Sequence, residues 1–469
     1  MTTLDLAFRL ASPRLNPKPI APLGAAIAAA TALIWLAAFV AAFRSDGLMA
    51  WSVGAAFIVY DFGQLLFVAA QARKLFSPLS SPARAPEPRI AVIVAAYNEA
   101  AALPATLDAL FAGRRRPDQV IVADDGSTDG TGEALARHYG DSPPPGFLWL
   151  RLPHRGKANA LNAALAHVEA EVVATVDADT LLAPDALAEM ARAFAADPAL
   201  VVAGGVLEPR CRGGAMAAAL QAFQRYEYVR NFLGRFAWSQ LESLLLISGA
   251  FAAFRTETLR AVGGFDPESL VEDYELIHRI HRRARERGGV AGVRIVGSAF
   301  ASTDAPASLP AFLRQRRRWF AGFLQTQWWN RDMVGAPRYG ALGMAMLPFK
   351  CLDAAAPIYG LASFGLLAWL LATGRYSAVL PASGLALAKL GFDLANMTYS
   401  LEAYRRWTGR RLPLGLAWGC LLAEPFSFLP LRQLGAARGW VALLAGRMEW
   451  GGLSRAQARA ARKASTPSL

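Results

Sequence analysis

Two apolar runs near the beginning of the chain, residues 21–43 and 48–70, leave the least freedom in how it can fold. The first carries no charge over about 23 residues, and the second is broken only by Asp61. As a helix the first run would be roughly 34 Å long, against a hydrocarbon thickness of about 30 Å. A cleaved secretory signal has an apolar core of only about 7 to 15 residues, so the run reads as a span that is retained. Residues 44–47 are a short turn. The pair is therefore expected to be a transmembrane hairpin, residues 21–70, behind a cytoplasmic N-terminal segment, residues 1–20.

Basic residues give the hairpin its orientation. Arg9, Arg14 and Lys18 precede it, and Arg73, Lys74, Arg84 and Arg89 follow it. By the positive-inside rule both flanks are cytoplasmic. Apolar runs return at 339–374 and 376–399, predicting transmembrane helices across 339–400, and the basic loop Arg405, Arg406, Arg410 and Arg411 follows. A further apolar stretch, 412–446, leads into a basic cytoplasmic tail, 447–469, with Arg447, Arg455, Arg459, Arg462 and Lys463. With both of its ends cytoplasmic, this stretch is expected to be interfacial or re-entrant, giving four crossings in all. Lys350, Asp353, Lys389 and Asp393 lie inside apolar runs. Such groups either face an aqueous path or pair with one another at helical spacing.

Composition agrees with a membrane protein. The 469 residues are 54 % hydrophobic, and the mean hydropathy is +0.27, which excludes disorder and an ordinary soluble chain. Lysine and arginine number 49 against 36 acids, a net charge of +13. On an apolar chain this excess suits membrane lipids or an anionic substrate better than nucleic acid. Cys211, Cys351 and Cys420 are far apart, so neither a disulfide framework nor a thiolate metal site is expected.

Residues 85–310 read as an α/β domain with a mostly parallel sheet, inserted between the membrane parts. Strands are predicted at 90–95, 119–123, 147–152 and 172–176, separated by Ala/Leu-rich segments of helical period. Each runs into a polar cluster: Tyr97-Asn98-Glu99, Asp124-Asp125-Gly126-Ser127, His154-Arg155-Gly156-Lys157 and Asp177-Ala178-Asp179. The carboxyl edge of such a sheet is where ligands bind. Neither G-x-G-x-x-G nor G-x-x-x-x-G-K-[ST] follows the first strand, which excludes the dinucleotide fingerprint and the P-loop. Carboxylates with one lysine suit a nucleotide diphosphate held by a divalent cation. D-x-D alone is as consistent with a turn, but two carboxylates after a buried strand need a counter-charge that a hard cation supplies. Asp124 and Asp125 have an Asx-turn or capping alternative. Lys157 at a helix start opposes the helix dipole, which favours a functional reason.

A helix is expected from 270 to 283, where Glu272 and Asp273 could simply cap its start. Glu275-x-x-His278 with His281 matches half of a di-iron motif, but without the other half a solvated face is the better reading. Residues 311–335, with Gln315-Arg316-Arg317-Arg318-Trp319 and then Phe320, Phe323, Trp328 and Trp329, are expected to be an interfacial helix with arginines outward and aromatics in the belt.

Taken in order, Tyr97-Asn98-Glu99, Asp124-Asp125-Gly126-Ser127, Gly156-Lys157-Ala158-x-Ala160-Leu161-Asn162, Asp177-x-Asp179, Ser248-Gly249-Ala250, Gly263-Gly264-Phe265, Glu272-Asp273 and Gln315-x-x-Arg318-Trp319 resemble the membrane-embedded family-2 glycosyltransferases. That group includes the cellulose, hyaluronan and poly-N-acetylglucosamine synthases. The resemblance covers about residues 85–330 and implies a GT-A nucleotide-diphospho-sugar transferase domain. It implies inverting transfer from a UDP-sugar to a growing β-linked polysaccharide, processive with membrane translocation; the alternative is single-sugar transfer to a lipid acceptor. The Ala95 backbone, Glu99 and Asp125 would surround uracil, with Asp125 accepting the base N–H. Lys157 would meet the diphosphate, Asp177 the ribose or sugar, and Asp179 the metal, Mg²⁺ or Mn²⁺. Asp273 would be the general base, while Gln315, Arg318 and Trp319 would close over the diphosphate and form the acceptor site. Expected partners are the donor, a glycan or lipid acceptor, membrane lipids and export subunits. The expected location is the bacterial inner membrane with the catalytic domain cytoplasmic. A catalytically dead scaffold would have lost Asp179 or Asp273, and both are present.

The chemistry of inversion agrees: single displacement needs one base, and a leaving diphosphate needs charge neutralisation rather than a proton. A hydrolase would need paired carboxylates flanking the bond. Thr303-Asp304-Ala305-Pro306 departs from the Thr-Glu-x-Pro common in this group. The stretch after Arg447-Met448-Glu449-Trp450 is too short for the regulatory β-barrel fused to bacterial cellulose synthase, so Arg455-x-x-x-Arg459 reads as chance.

Overall fold

The computed structural model describes residues 2–77, 85–140 and 143–446, so Arg84 and the basic tail lie outside the described residues. Helix α1 (Thr3–Ala11) is closed at its start by a reciprocal Thr2–Asp5 capping box. Two long apolar helices follow, α2 (Pro22–Arg44) and α3 (Ser52–Ala72). Both, α3 together with its flanking turns, are long and apolar enough to cross a membrane.

The central domain is an eight-stranded sheet in the order β3-β2-β1-β4-β7-β6-β8-β5. Strands β1 (Ile90–Ala96), β2 (Gln119–Asp124), β3 (Phe147–Arg151) and β4 (Val172–Asp177) pair in parallel. Except for β3, their Val, Ile and Ala side chains are almost wholly buried, as expected for strands covered on both faces. Helices α4 (Leu103–Phe111), α5 (Thr131–Tyr139) and α6 (Lys157–Leu165) make the crossovers. In register, Ala95 sits beside Asp177 and Ala96 beside Asp124, which brings the predicted polar clusters to one edge.

The rest of the sheet is mixed. Strand β5 (Leu181–Leu182) precedes α7 (Ala186–Ala196), then β6 (Leu200–Arg210) and the long helix α8 (Ala215–Ser239). Strand β7 (Phe251–Arg255) runs antiparallel between β4 and β6. After it come α9 (Thr256–Ala261), α10 (Glu272–Glu286), β8 (Gly292–Asp304) parallel to β6, and α11 (Leu309–Trp329).

Four helices close the described chain: α12 (Leu347–Ala372), α13 (Tyr376–Thr408), α14 (Leu414–Ala423) and α15 (Phe428–Leu444). The first, with the turn before it, and the second are long and apolar enough to cross a membrane. The segments carrying α14 and α15 pass the same test only as a pair bent by 54°. Lys350 pairs with Asp353 at 2.5 Å and Lys389 with Asp393 at 2.5 Å, so the pairing alternative describes both lysines. Each pair also reaches α3: Tyr60 donates to Asp353, and Asp61 lies 2.6 Å from Lys389.

Two expectations change. Helix α10 is not solvated, because Glu275, His278 and Arg279 are fully buried and His281 nearly so. Arg279 makes a bidentate pair with Glu275, which removes the di-iron reading, and Arg282 does the same with Asp332. Burial lowers both histidines, His278 to about 3 and His281 to about 4, so they are neutral donors or acceptors within the core. Nor does α11 hold all its arginines outward: Arg316 is 7 % exposed and paired with Glu227 of α8 at 2.6 and 3.0 Å.

Candidate active site

The strand-end loops are laced together by their own polar groups. Asn98, at positive φ, accepts from Thr128 N–H, while its own N–H donates to Ser127. Asp124 accepts from Ser127 N–H at 2.9 Å, the Asx turn foreseen as its alternative role. Asp125 is 3 % exposed and accepts from Arg155 N–H, Gly156 N–H and His154 Nδ1 at 2.8–2.9 Å. It thus locks the β3–α6 loop to the end of β2, and three of its four lone-pair positions are taken. His154 is stacked on the exposed ring of Tyr97, with centroids 4.0 Å apart.

Gly156 enters α6 at φ +93° and delivers Lys157 into the edge. The Lys157 ammonium bonds Asp177 and lies 3.5 Å from Glu272 of α10. One lysine therefore joins the end of β4 to the start of α10. Burial disfavours its charge, but Asp177 and Glu272 outweigh that and raise its pKa. Asp273, next along, accepts Gly249 N–H at 2.8 Å on one oxygen and Tyr274 N–H at 2.8 Å on the other. Burial, then Glu272, push its carboxyl upward in pKa against those bonds and Lys157.

Asp179 is held from β8. Thr303 donates to it at 3.1 Å, Thr180 donates to Thr303, and Arg210 of β6 binds both the Asp179 carbonyl and Asp304. Thr303 thus braces the D-x-D carboxylate, while Asp304, the residue that departs from Thr-Glu-x-Pro, holds the arginine bound to the Asp179 carbonyl. Burial followed by Asp177 pushes Asp179 up to about 6, and burial with Asp179 and Asp177 pushes Glu99 up to about 7. These carboxylates crowd one another with a single lysine among them. Among the described residues no three His, Cys, Asp or Glu converge at metal-binding distance. The donor set still fits Mg²⁺ or Mn²⁺, which take one or two carboxylates and complete their shell with phosphate oxygens and water.

Helix α11 latches the approach to Asp273. Arg318 donates to the Leu270 carbonyl at 3.0 Å, and Gln325 accepts Leu270 N–H at 3.0 Å and donates to the Glu268 carbonyl at 3.2 Å. Gly322 permits this, since a Cβ there would lie 2.5 Å from Val271. Trp319 borders an apolar cluster with Trp238, Leu245, Val271 and Tyr274, next to the base candidate. Gln315 Oε1 is buried with no partner among the described residues. From the other side, α1 packs on Gly263, and Arg14 grips fully buried Asp266 at 2.9 and 3.0 Å. Sequence reasoning missed Gln325, Thr180, Arg210 and Arg14 in these positions. Their partners are tens to hundreds of residues away, and only the Gly and Ser-Gly motifs beside them were visible.

Residues 91–263 match the model of Glycosyl transferase family 2. Poly-beta-1,6-N-acetyl-D-glucosamine synthase of Staphylococcus aureus (strain COL) is 29 % identical over 236 residues, 50 % of this chain and 54 % of that protein. The enzyme of the same name from Staphylococcus epidermidis gives the same identity and coverage. This chain therefore spans about half the length of the curated relatives it matches. Mannosyltransferase PcManGT from Pyrobaculum calidifontis, solved in complex with GDP-Man and Mn²⁺, has a TM-score of 0.61 at 24 % identity, covering 85 % of this chain and 99 % of that one. Strand order, the carboxylate edge and these likenesses agree on one conclusion: the chain carries a glycosyltransferase family 2 domain built on the GT-A fold.

Proposed function

We propose that this chain transfers a sugar, with inversion, from a UDP-sugar to a growing β-linked polysaccharide, and that it does so processively. The observation that carries the reading is Lys157, which ties Asp177 of the D-x-D edge to Glu272 beside Asp273. Diphosphate neutralisation and a base are thereby brought to one locus. The names of the curated relatives support N-acetylglucosamine as the sugar.

In this reading the base-binding wall is the Ala95 backbone, Glu99 and Asp125, whose one open lone pair would take the uracil N–H. Lys157 neutralises the diphosphate, Asp177 meets ribose or sugar, and Asp179 holds Mg²⁺ or Mn²⁺. That cation, when bound, would stabilise charge on the departing diphosphate. Asp273 accepts the proton of the acceptor hydroxyl as its oxygen bonds C1 and the C1–diphosphate bond breaks. Each Asp273 oxygen has one protein donor, so a lone pair remains for that proton. Raised basicity from burial and Glu272 suits the task. Gln315, Arg318 and Trp319 form the acceptor side, with Trp319 a stacking floor for a sugar ring.

Helices α2, α3, α12 and α13 cross the membrane in this proposal, with the glycosyltransferase domain cytoplasmic and the nascent chain leaving past Trp319. The Lys350–Asp353 pair directly follows Phe349, which packs on the same cluster as Trp319. Incubating the purified chain in lipid vesicles with a panel of labelled UDP-sugars and Mn²⁺, then sizing the products, tests the proposal. Polymer from UDP-N-acetylglucosamine is expected. A product one sugar long would replace processive synthesis with lipid glycosylation, and incorporation from GDP-sugars alone would overturn the donor assignment.

A further inference from the structure

A cavity of about 210 Å³ lies beside the last residues of β6, where the sheet meets the loop between α13 and α14. Arg225, Arg410 and Arg411 line it with Tyr228 and Tyr404, against one acid, Glu208. Charge is divided sharply between the last turn of α13 and the loop after it. Arg405 and Arg406 are consumed by Glu402 at 2.6–2.8 Å. Arg410 and Arg411 have no carboxylate partner among the described residues, and the Arg410 guanidinium instead lies 3.9 Å from the centre of the Phe300 ring. Arg225 pairs with Glu208 at 2.5 Å, but its Nε is buried with no acceptor among the described residues. A buried donor left unmade is costly and calls for an acceptor.

The loop is also held in place. Gly409 ends α13 in the left-handed region, and Tyr226 of α8 donates to the Pro413 carbonyl at 2.9 Å. Immediately beyond, α14 exposes Leu414, Leu416 and Trp418. The place thus offers an anion-binding concavity at the level where α13 ends and, beside it, an apolar helix face. We propose that this cavity binds the phosphate of an anionic phospholipid, with Arg410 and Arg411 on the headgroup and the acyl chains along α14. Arginine's planar fork matches phosphate oxygens, and basic pockets on the cytoplasmic side of membrane helices take such headgroups. The inference rests on the membrane placement of α13 proposed above and on the interfacial or re-entrant position expected for residues 412–446, which membrane fractionation of the chain tests separately.

The test uses the purified full chain in nanodiscs of phosphatidylcholine doped with labelled phosphatidylglycerol, followed by native mass spectrometry of retained lipid. At about 1 kcal/mol for each arginine, Arg410→Gln with Arg411→Gln should weaken phosphatidylglycerol retention about 30-fold. Arg405→Gln with Arg406→Gln removes the same charge from the last turn of α13, outside the cavity, and should change retention less than threefold. Equal losses in the two double variants, or no loss in either, would overturn the site. Displacement of the lipid by submillimolar inorganic phosphate would overturn the lipid as its occupant.

Discussion

Asp273 has one hydrogen bond on each oxygen, so Asp273→Asn keeps its shape and can still accept Gly249 N–H through its remaining oxygen. UDP-sugar affinity should therefore stay within about threefold while turnover drops by about 10² or more, read by equilibrium binding and initial rates. A drop below threefold would return Asp273 to the capping role its helix position equally allows. Asp179 supports a second expectation. Burial and Asp177 lift its folded pKa to about 6 from 3.8, and Glu99 is lifted likewise to about 7 from 4.5. Between the two values of each group the folded protein binds more protons than the unfolded one, so metal-free stability falls as pH rises through this window. A cation needs these carboxylates ionised. The Mn²⁺-induced rise in Tm should thus be small at pH 5 and full above pH 7, and an equal rise at both would reject Asp179 as the cation's ligand. These two acids were legible because each follows a motif at a strand or helix boundary. Thr303 was not legible as the brace of Asp179, because the contact joins residues 124 positions apart and no local pattern encodes it.

The first four strands could be read to within a residue because buried parallel strands are continuous apolar runs. Strands β6 and β8 could not, since Gly204, Gly205 and Gly297 interrupt their pattern, and the pairing itself shifts register twice. Those glycines are spatial necessities: a Cβ on Gly205 would lie 2.1 Å from the Phe251 ring. Helix α10 misled for the opposite reason. Its charges follow the dipole rule for a surface helix, yet Arg282 is paired inside the core with Asp332, 50 residues away. Helix α11 gives the element-scale prediction. Gly322→Ala would gain roughly 1 kcal/mol in helix propensity, but its Cβ would fall 2.5 and 2.8 Å from Val271. Overpacking of about 1–3 kcal/mol should win and push the residues leading to Asp273. The expected result is a lower Tm and a lower kcat together. Gly415→Ala in α14, where a Cβ meets nothing within 4 Å, should be neutral or stabilising with kcat unchanged. If both variants behaved alike, close packing of α11 on the 268–271 segment would not be what positions the site.

At the scale of the molecule, the sheet domain and the terminal helices are joined by buried charge. Glu227 of α8 meets Arg316 of α11 at 2.6 Å and Arg432 of α15 at 3.5 Å. Arg230, one turn along α8, meets Glu424 at 2.7 Å, and Arg432 lies 4.0 Å from that same acid. Helices α11 and α15 can approach this closely because Gly435 and Gly439 leave room, a Cβ on Gly439 falling 2.9 Å from the backbone of α11. The set fixes which face of α15 meets the domain, whereas an apolar seam would tolerate sliding. The Glu227 and Arg316 side chains are 4 % and 8 % exposed, so neither can turn to water if its partner is lost. Glu227→Leu alone should therefore destabilise by about 3–5 kcal/mol, since it strands a buried guanidinium. Adding Arg316→Met should recover most of that loss, because the pair's mutual attraction does little more than offset its desolvation. Arg432 does not block the recovery: its side chain is 32 % exposed and retains Glu424. A double-mutant cycle on thermal unfolding in detergent would measure the coupling. If the two losses simply add, Glu227 and Arg316 act independently and the join between domain and helices must rest on apolar packing alone.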